Sequence, residues 1–171
     1  LNKYLTKGSG YTLSPTALFR YIECPLKFYF SSIASIKSPD ELDDTIDSLT
    51  FGNILHDSIE ALYTDLIGIE TPHHEIEAMS NRTTVESVVD RMIVKNLQMP
   101  KGFGQKDFNG DTLLVRDIIV KYITQGIFRY DLGHSGYTIV GLERDVECEY
   151  SISDDRTIFF SGRIDKLDKL D

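Results

Sequence analysis

A change of hydrophobic rhythm most constrains what this chain can fold into. Up to about residue 130 apolar side chains recur every three or four positions; from Tyr137 they alternate. The first pattern belongs to amphipathic helices and the second to strands. Four or five helices should therefore precede a late sheet. One hairpin is little sheet for so many helices, so further residues are expected after Asp171.

Local signals place the elements. Residues 1–10, with Gly8-Ser9-Gly10, read as a flexible lead-in. Ser14 as N-cap and Pro15 at the first helical position start a helix, with Leu18, Tyr21, Ile22 and Phe28 expected inward. Pro25 should break it after Glu23-Cys24. Residues 37–48, KSPDELDDTIDS, read as a solvated acidic linker, lacking the central glycine and terminal glutamate of a calcium loop. A helix over residues 51–63 should run to about Ile67 and stop at Gly68.

Pro72 starts a short helix. Thr83 and Thr84 can cap a longer one through Leu97, with Val85, Val88 and Met92 inward and Met99-Pro100-Lys101-Gly102 ending it. Residues 108–130 form a further amphipathic helix, striped by Leu113, Leu114, Ile118, Val120, Ile123 and Ile127. In residues 137–152, Ile139, Gly141, Glu143 and Asp145 fall on one side and Val140, Leu142, Arg144 and Val146 on the other. With turn residues at 153–156, this predicts a β-hairpin.

Size and charge bound the function. At 171 residues, 41% apolar and 26% charged, the chain fits one globular domain with a sizeable core. No apolar run is long enough to span a membrane, and the first residues lack the apolar segment of a secretory signal. The chain starts without Met, so it reads as a fragment or a processed product. Cys24 and Cys148 are far apart and outside any CxxC spacing, which points to reduced thiols in the cytoplasm, with Cys24 packed structurally at a bend. The net charge of −9 argues against nucleic-acid binding by bulk electrostatics. Its distribution is segregated: residues 1–39 hold Lys3, Lys7, Arg20, Lys27 and Lys37 against Glu23, whereas residues 40–60 hold seven acids and no Lys or Arg.

Several residue groups could carry chemistry. His56 and Glu60 are four apart on one helix, with Gly52 four residues earlier. They make either a metal or catalytic corner or an ordinary polar pair. His73 and His74 are adjacent, diverge on a helix, and read as surface residues. Glu143 and Asp165 lie on the two predicted strands as potential cross-strand neighbours. With a nearby imidazole they could hold a hard divalent cation. Alternatively, they are surface charges paired with Arg144, Arg163 or Lys166.

An ordered set of motifs sharpens this choice. Ser14-Pro15-x-Ala17, Tyr21-x-x-Cys24-Pro25-Leu26-Lys27-Phe28-Tyr29-Phe30, Gly52-Asn53-x-x-His56, Glu143 and Gly162-Arg163-Ile164-Asp165 together resemble the RecB-type, AddB-like branch of the PD-(D/E)XK nuclease superfamily. The resemblance spans most of residues 11–167. It implies an α/β fold with helices packed around a mixed sheet, a restriction-endonuclease-like core, present here as an incomplete N-terminal portion with a late β-hairpin. It also implies a single nuclease domain over residues 11–171. His56, Glu143 and Asp165 then match catalytic, metal-associated positions for Mg²⁺ or Mn²⁺. The implied activity is metal-dependent phosphodiester hydrolysis on DNA within a helicase–nuclease recombination or repair protein, with a helicase domain or subunit as partner. Arg20, Lys27 and Lys37 become candidate contacts to the DNA backbone.

The sequence also departs from that pattern. The family places an acid, one residue and a lysine on the strand after Asp165; here Ile164 lies two before Lys166, and Leu167 two before Lys169. This piece alone is therefore expected to bind metal weakly and cleave poorly. Some relatives hold an iron–sulfur cluster with four cysteines, but only Cys24 matches a position, so no cluster is expected. Two other readings stay open: a degenerate nuclease-like scaffold that binds DNA or protein, and an unrelated helical interaction domain.

Overall fold

A computed structural model describes residues 4, 11–36, 46–134, 136–153 and 156–170. Most of the lead-in, and the acidic stretch from Lys37 through residue 45, lie outside the described residues. Two compact units emerge: residues 1–41 with 144–164, and residues 42–143 with 165–171. Both strands of the late hairpin, β1 (Tyr137–Ser153) and β2 (Arg156–Leu170), therefore contribute to each unit. The architecture is helix-rich with a small two-stranded antiparallel sheet late in the chain, consistent with an α/β restriction-endonuclease-like fold.

In the first unit, Ser14 Oγ accepts a hydrogen bond from the Ala17 amide at 3.1 Å and starts α1 (Pro15–Glu23). Cys24 is extended and α2 (Pro25–Phe28) begins at the proline, where the sequence places the break. Leu13 pairs with β2 as a parallel bridge, its amide donating to Phe159 O at 2.7 Å. This brings Leu13, Ala17 and Phe28 into a small core, joined by Leu18, Ile158 and Phe160. The expected inward face of α1 needs correcting: Ala17 is buried and Leu18 half-buried, whereas Tyr21 and Ile22 are exposed. The short bridge at Leu13 turns the side of the helix bearing small Ala17 inward and leaves the bulkier side out.

The second unit holds the main core. Its first helix, α3 (Ser48–Tyr63), begins three residues earlier than the apolar pattern shows, because Asp47 caps it by accepting from the Thr50 amide at 2.7 Å. A tight turn over Thr64–Leu66 and Gly68 at φ +86° end it. Next come α4 (His73–Met79) and α5 (Arg82–Asn96), the latter capped by Asn81 instead of the expected threonines. Val85, Val89, Met92 and Ile93 are buried and Val88 half-buried.

The helix predicted over residues 108–130 is three segments. They are α6 (Gly110–Lys121), a wider π-type stretch over Tyr122–Ile127, and α7 (Phe128–Leu132). Thr124 Oγ1 donates to Val120 O at 2.7 Å, and Gly126 weakens the interior of the same turn. Leu113 and Leu114 are exposed, and the buried line runs instead through Thr112, Arg116, Ile119 and Ile123. In the same core, Gly68 N donates to Ile139 O at 2.9 Å and Thr71 N to Tyr137 O at 2.8 Å, fixing the start of β1. No helix among the described residues is long and apolar enough to cross a membrane.

Candidate metal centre

Three acidic or imidazole side chains from separate stretches of the second unit meet at one point. His56 projects from the middle of α3, and Ile54, Ser58 and Leu62 bury the other side of that helix. Asp57 anchors α3 to α5, its carboxylate accepting from Lys95 Nζ at 2.9 Å and Asn96 Nδ2 at 3.0 Å. Burial opposes ionisation of Asp57, but those hydrogen bonds outweigh it and hold the carboxyl below its ordinary range.

Glu143 reaches the site by a local departure from strand geometry. Tyr137, Ile139 and Gly141 are buried in the predicted alternation, but at Glu143 the backbone turns left-handed, φ +46°. A glutamate rarely adopts this conformation, and such positions in strands re-aim a side chain as β-bulges do. Alternation alone does not foresee it.

His56 Nδ1 lies 3.4 Å from Glu143 Oε1 and 3.4 Å from Asp165 Oδ1. One ligand atom from each residue can be chosen so that all three lie within 4.8 Å of one another. Asp165 is 65% exposed, His56 43% and Glu143 19%, so the cluster is held from one side and open on the other. The three residues singled out from the sequence are thus brought together. Glu60 is exposed and is not among them, so the alternative corner within α3 does not form. A Cβ added at Gly52 would meet nothing within 4 Å, so packing does not demand that glycine.

The donor set fits a divalent cation of the Mg²⁺ or Mn²⁺ kind. Ligands at about 2.1 Å from such an ion in octahedral array stand about 3.0 Å apart when adjacent, so the two 3.4 Å spacings from His56 need only slight closure. A single imidazole proton on Nδ1 cannot serve two carboxylates, and two like charges this close repel unless a cation lies between them.

The remaining candidates fall elsewhere. Arg20 and Lys27 belong to the first unit, where both are exposed and Lys27 Nζ pairs with Glu23 at 2.9 Å. Lys37 lies outside the described residues. Cys24 is half-buried and Cys148 exposed, both as free thiols. His74 is exposed at the start of α4, while His73 Nε2 contacts the carbonyl of His134.

Two charged groups of the second unit are not foreseen by the sequence reading, which places Lys166 only as a surface partner of Glu143 or Asp165. Arg116 is 4% exposed and pairs through its guanidinium with Asp90, with Glu86 at 3.4 Å and with Asp117 at 3.7 Å. Lys166 Nζ contacts Asp131 Oδ2 at 2.9 Å and Asp168 Oδ2 at 3.1 Å. The first had a signal: Thr112, Arg116, Ile119 and Ile123 share helical spacing, so a charge sits on a buried face. The second had little, because Asp131 follows the widened turn that shifts the helical register.

The family profile of the PD-(D/E)XK nuclease superfamily matches residues 12–171. No curated protein and no solved structure matches the chain. Enzymes of this superfamily act on DNA and usually employ divalent metal ions.

Proposed function

The chain belongs to the PD-(D/E)XK nuclease superfamily, and on that footing we propose that residues 11–171 act as the metal-binding part of a RecB/AddB-like DNA nuclease domain. The observation that carries this reading is the convergence of His56, Glu143 and Asp165, within the family match and with the motif order described above. The parent would be a cytoplasmic helicase–nuclease protein of recombination or repair, with DNA as substrate and a helicase domain or subunit as partner.

In this reading His56, Glu143 and Asp165 hold Mg²⁺ or Mn²⁺. When bound, such an ion lowers the pKa of its water and offsets the charge that grows on a phosphate under attack. The chain's own residues supply position. α3 fixes the imidazole, the left-handed turn in β1 aims Glu143, and β2 presents Asp165 toward solvent, where phosphate can approach. Arg20 and Lys27 would contact the DNA backbone, a role the Glu23 pairing weakens for Lys27.

Within these 171 residues no Asp/Glu-x-Lys triplet follows Asp165, so this reading gives no residue the role of the family's water-orienting lysine. The same fact favours one second reading, a degenerate fold that binds DNA without cutting it. Cleavage of linear DNA by the intact parent with Mn²⁺ separates them. The nuclease reading predicts cleavage that Asp165→Ala abolishes, a loss of at least a thousandfold, with circular dichroism unchanged. Binding without cleavage supports the scaffold, and cleavage retained by Asp165→Ala removes Asp165 from the site.

A further inference from the structure

We propose that Lys166 is a positioning residue for the metal triad: a half-buried ammonium that clamps the strand carrying Asp165 to the helix carrying His56. The proposal rests on the metal-site reading above and deepens it.

Asp165 is mostly exposed, so its own packing cannot fix it. Its neighbour in β2 can. Alternate strand residues point to opposite faces, so Lys166 turns away from the triad and into the unit. There its side chain is 17% exposed, and Nζ contacts Asp131 Oδ2 at 2.9 Å and Asp168 Oδ2 at 3.1 Å. It also stands 5.3 Å from the centre of the Tyr63 ring and 4.9 Å from that of Tyr137. Both distances lie within the range over which an ammonium is drawn to an aromatic face.

These partners come from the elements that matter. Tyr63 lies on α3 seven residues after His56, which puts it on the same helix face two turns on. Its hydroxyl donates to the same Asp131 Oδ2 at 2.7 Å, and Asp131 is buried on α7. One carboxylate oxygen therefore receives both the strand's lysine and the helix's tyrosine. Tyr137 opens β1, the strand that leads to Glu143. The cluster thus ties together the elements that supply all three triad residues. With two carboxylates already engaged, Lys166 is not free to orient an attacking water.

Removing a group bonded directly to a metal ligand typically costs ten- to a hundredfold in metal affinity, and Lys166 acts one contact further out, so the lower end of that range is expected. The test is calorimetric titration of Mn²⁺ into the full 171-residue chain and its variants, below their melting temperatures. Lys166→Met should weaken Mn²⁺ binding about tenfold or more, and Lys166→Arg should restore most of it. Val89→Ala, in the core of α5, should lower the melting temperature and leave Mn²⁺ affinity unchanged. If Lys166→Met does not fold, Asp131→Asn is read in its place, with the same weakening expected. Unchanged affinity in the folded variant overturns the proposal, as does equal weakening in Val89→Ala, which would mark a general loss of stability. An unsubstituted 171-residue chain that takes up no Mn²⁺ removes the metal-site reading, and this proposal with it.

Discussion

Two groups of acids in the second unit are treated in opposite ways. Around Arg116, the carboxylates of Asp90, Glu86 and Asp117 gather on a guanidinium that is almost wholly buried. At the triad, Glu143 and Asp165 converge on an imidazole and stay open to solvent. The first group is complete in that every acid touches a cation: Arg116 joins α5 to α6, and Arg82 adds a second contact to Glu86 at 2.6 Å and to Asp117 at 3.8 Å. The second is incomplete, and a strained backbone at Glu143 helps maintain it. A fold has reason to complete its internal charges. Exposed acids can be left to solvent, and it is their convergence on an imidazole that makes Glu143 and Asp165 candidates for a cation.

Breaking the complete group should cost most. Arg116→Met strands Asp90 without its cation, leaves Glu86 only Arg82, and should lower unfolding free energy by about 3 kcal/mol, read from the denaturant midpoint. A loss below ~1 kcal/mol would show that the buried network is not a stability element and would blur the contrast.

The Lys166 cluster, whose two acids share one ammonium, offers a second test through pH. Burial, together with the carboxylates of Asp131 and Asp168, pushes the Tyr137 phenol up to about 12. Burial and the hydrogen bond to Asp131 likewise hold Tyr63 well above its ordinary value. The charged groups facing Tyr137 are Asp131, Asp168 and Lys166, with His73 packed against its ring. A phenol that ionises later in the folded chain than in the unfolded one favours folding below the unfolded value of 10. That contribution is lost as pH rises through the folded value. Stability should therefore fall by about 2 kcal/mol between pH 10 and 12 on account of Tyr137, and Tyr137→Phe should flatten that part of the profile. Because its buried hydroxyl has no hydrogen-bond partner among the described residues, the same substitution should not destabilise the protein at neutral pH.

Much of this was legible in the sequence, but unevenly. Ser14-Pro15, Pro25 and Gly68 punctuate the chain where the structure does, because caps and breakers act through local backbone chemistry. The grouping of His56, Glu143 and Asp165 can be anticipated because their order along the chain carries a family signal. Features set by tertiary packing were not. The inward face of α1 depends on the Leu13 bridge to β2, a contact between residues far apart in sequence. The widened turn over Tyr122–Ile127 displaces the apolar stripe of a helix that reads as continuous. The left-handed backbone at Glu143 breaks an alternation that looks regular on paper. Arg116 shares the spacing of the buried line, but a charge on a helix is ordinarily placed outside.

The central claim is that the triad's acids await a cation, and thermal unfolding with and without Mn²⁺ measures it most directly in the unsubstituted 171-residue chain, the parent of the comparison, and in Glu143→Asn. Asn tolerates the left-handed conformation and carries no charge, so the metal-free variant should melt at or slightly above the parent, by about 1 kcal/mol at most. Mn²⁺ should stabilise the parent, by about 2.7 kcal/mol at a hundredfold excess over its dissociation constant, and the variant much less. If Mn²⁺ leaves the parent's melting temperature unchanged, or raises both equally, the acids at Glu143 and Asp165 do not form a metal site.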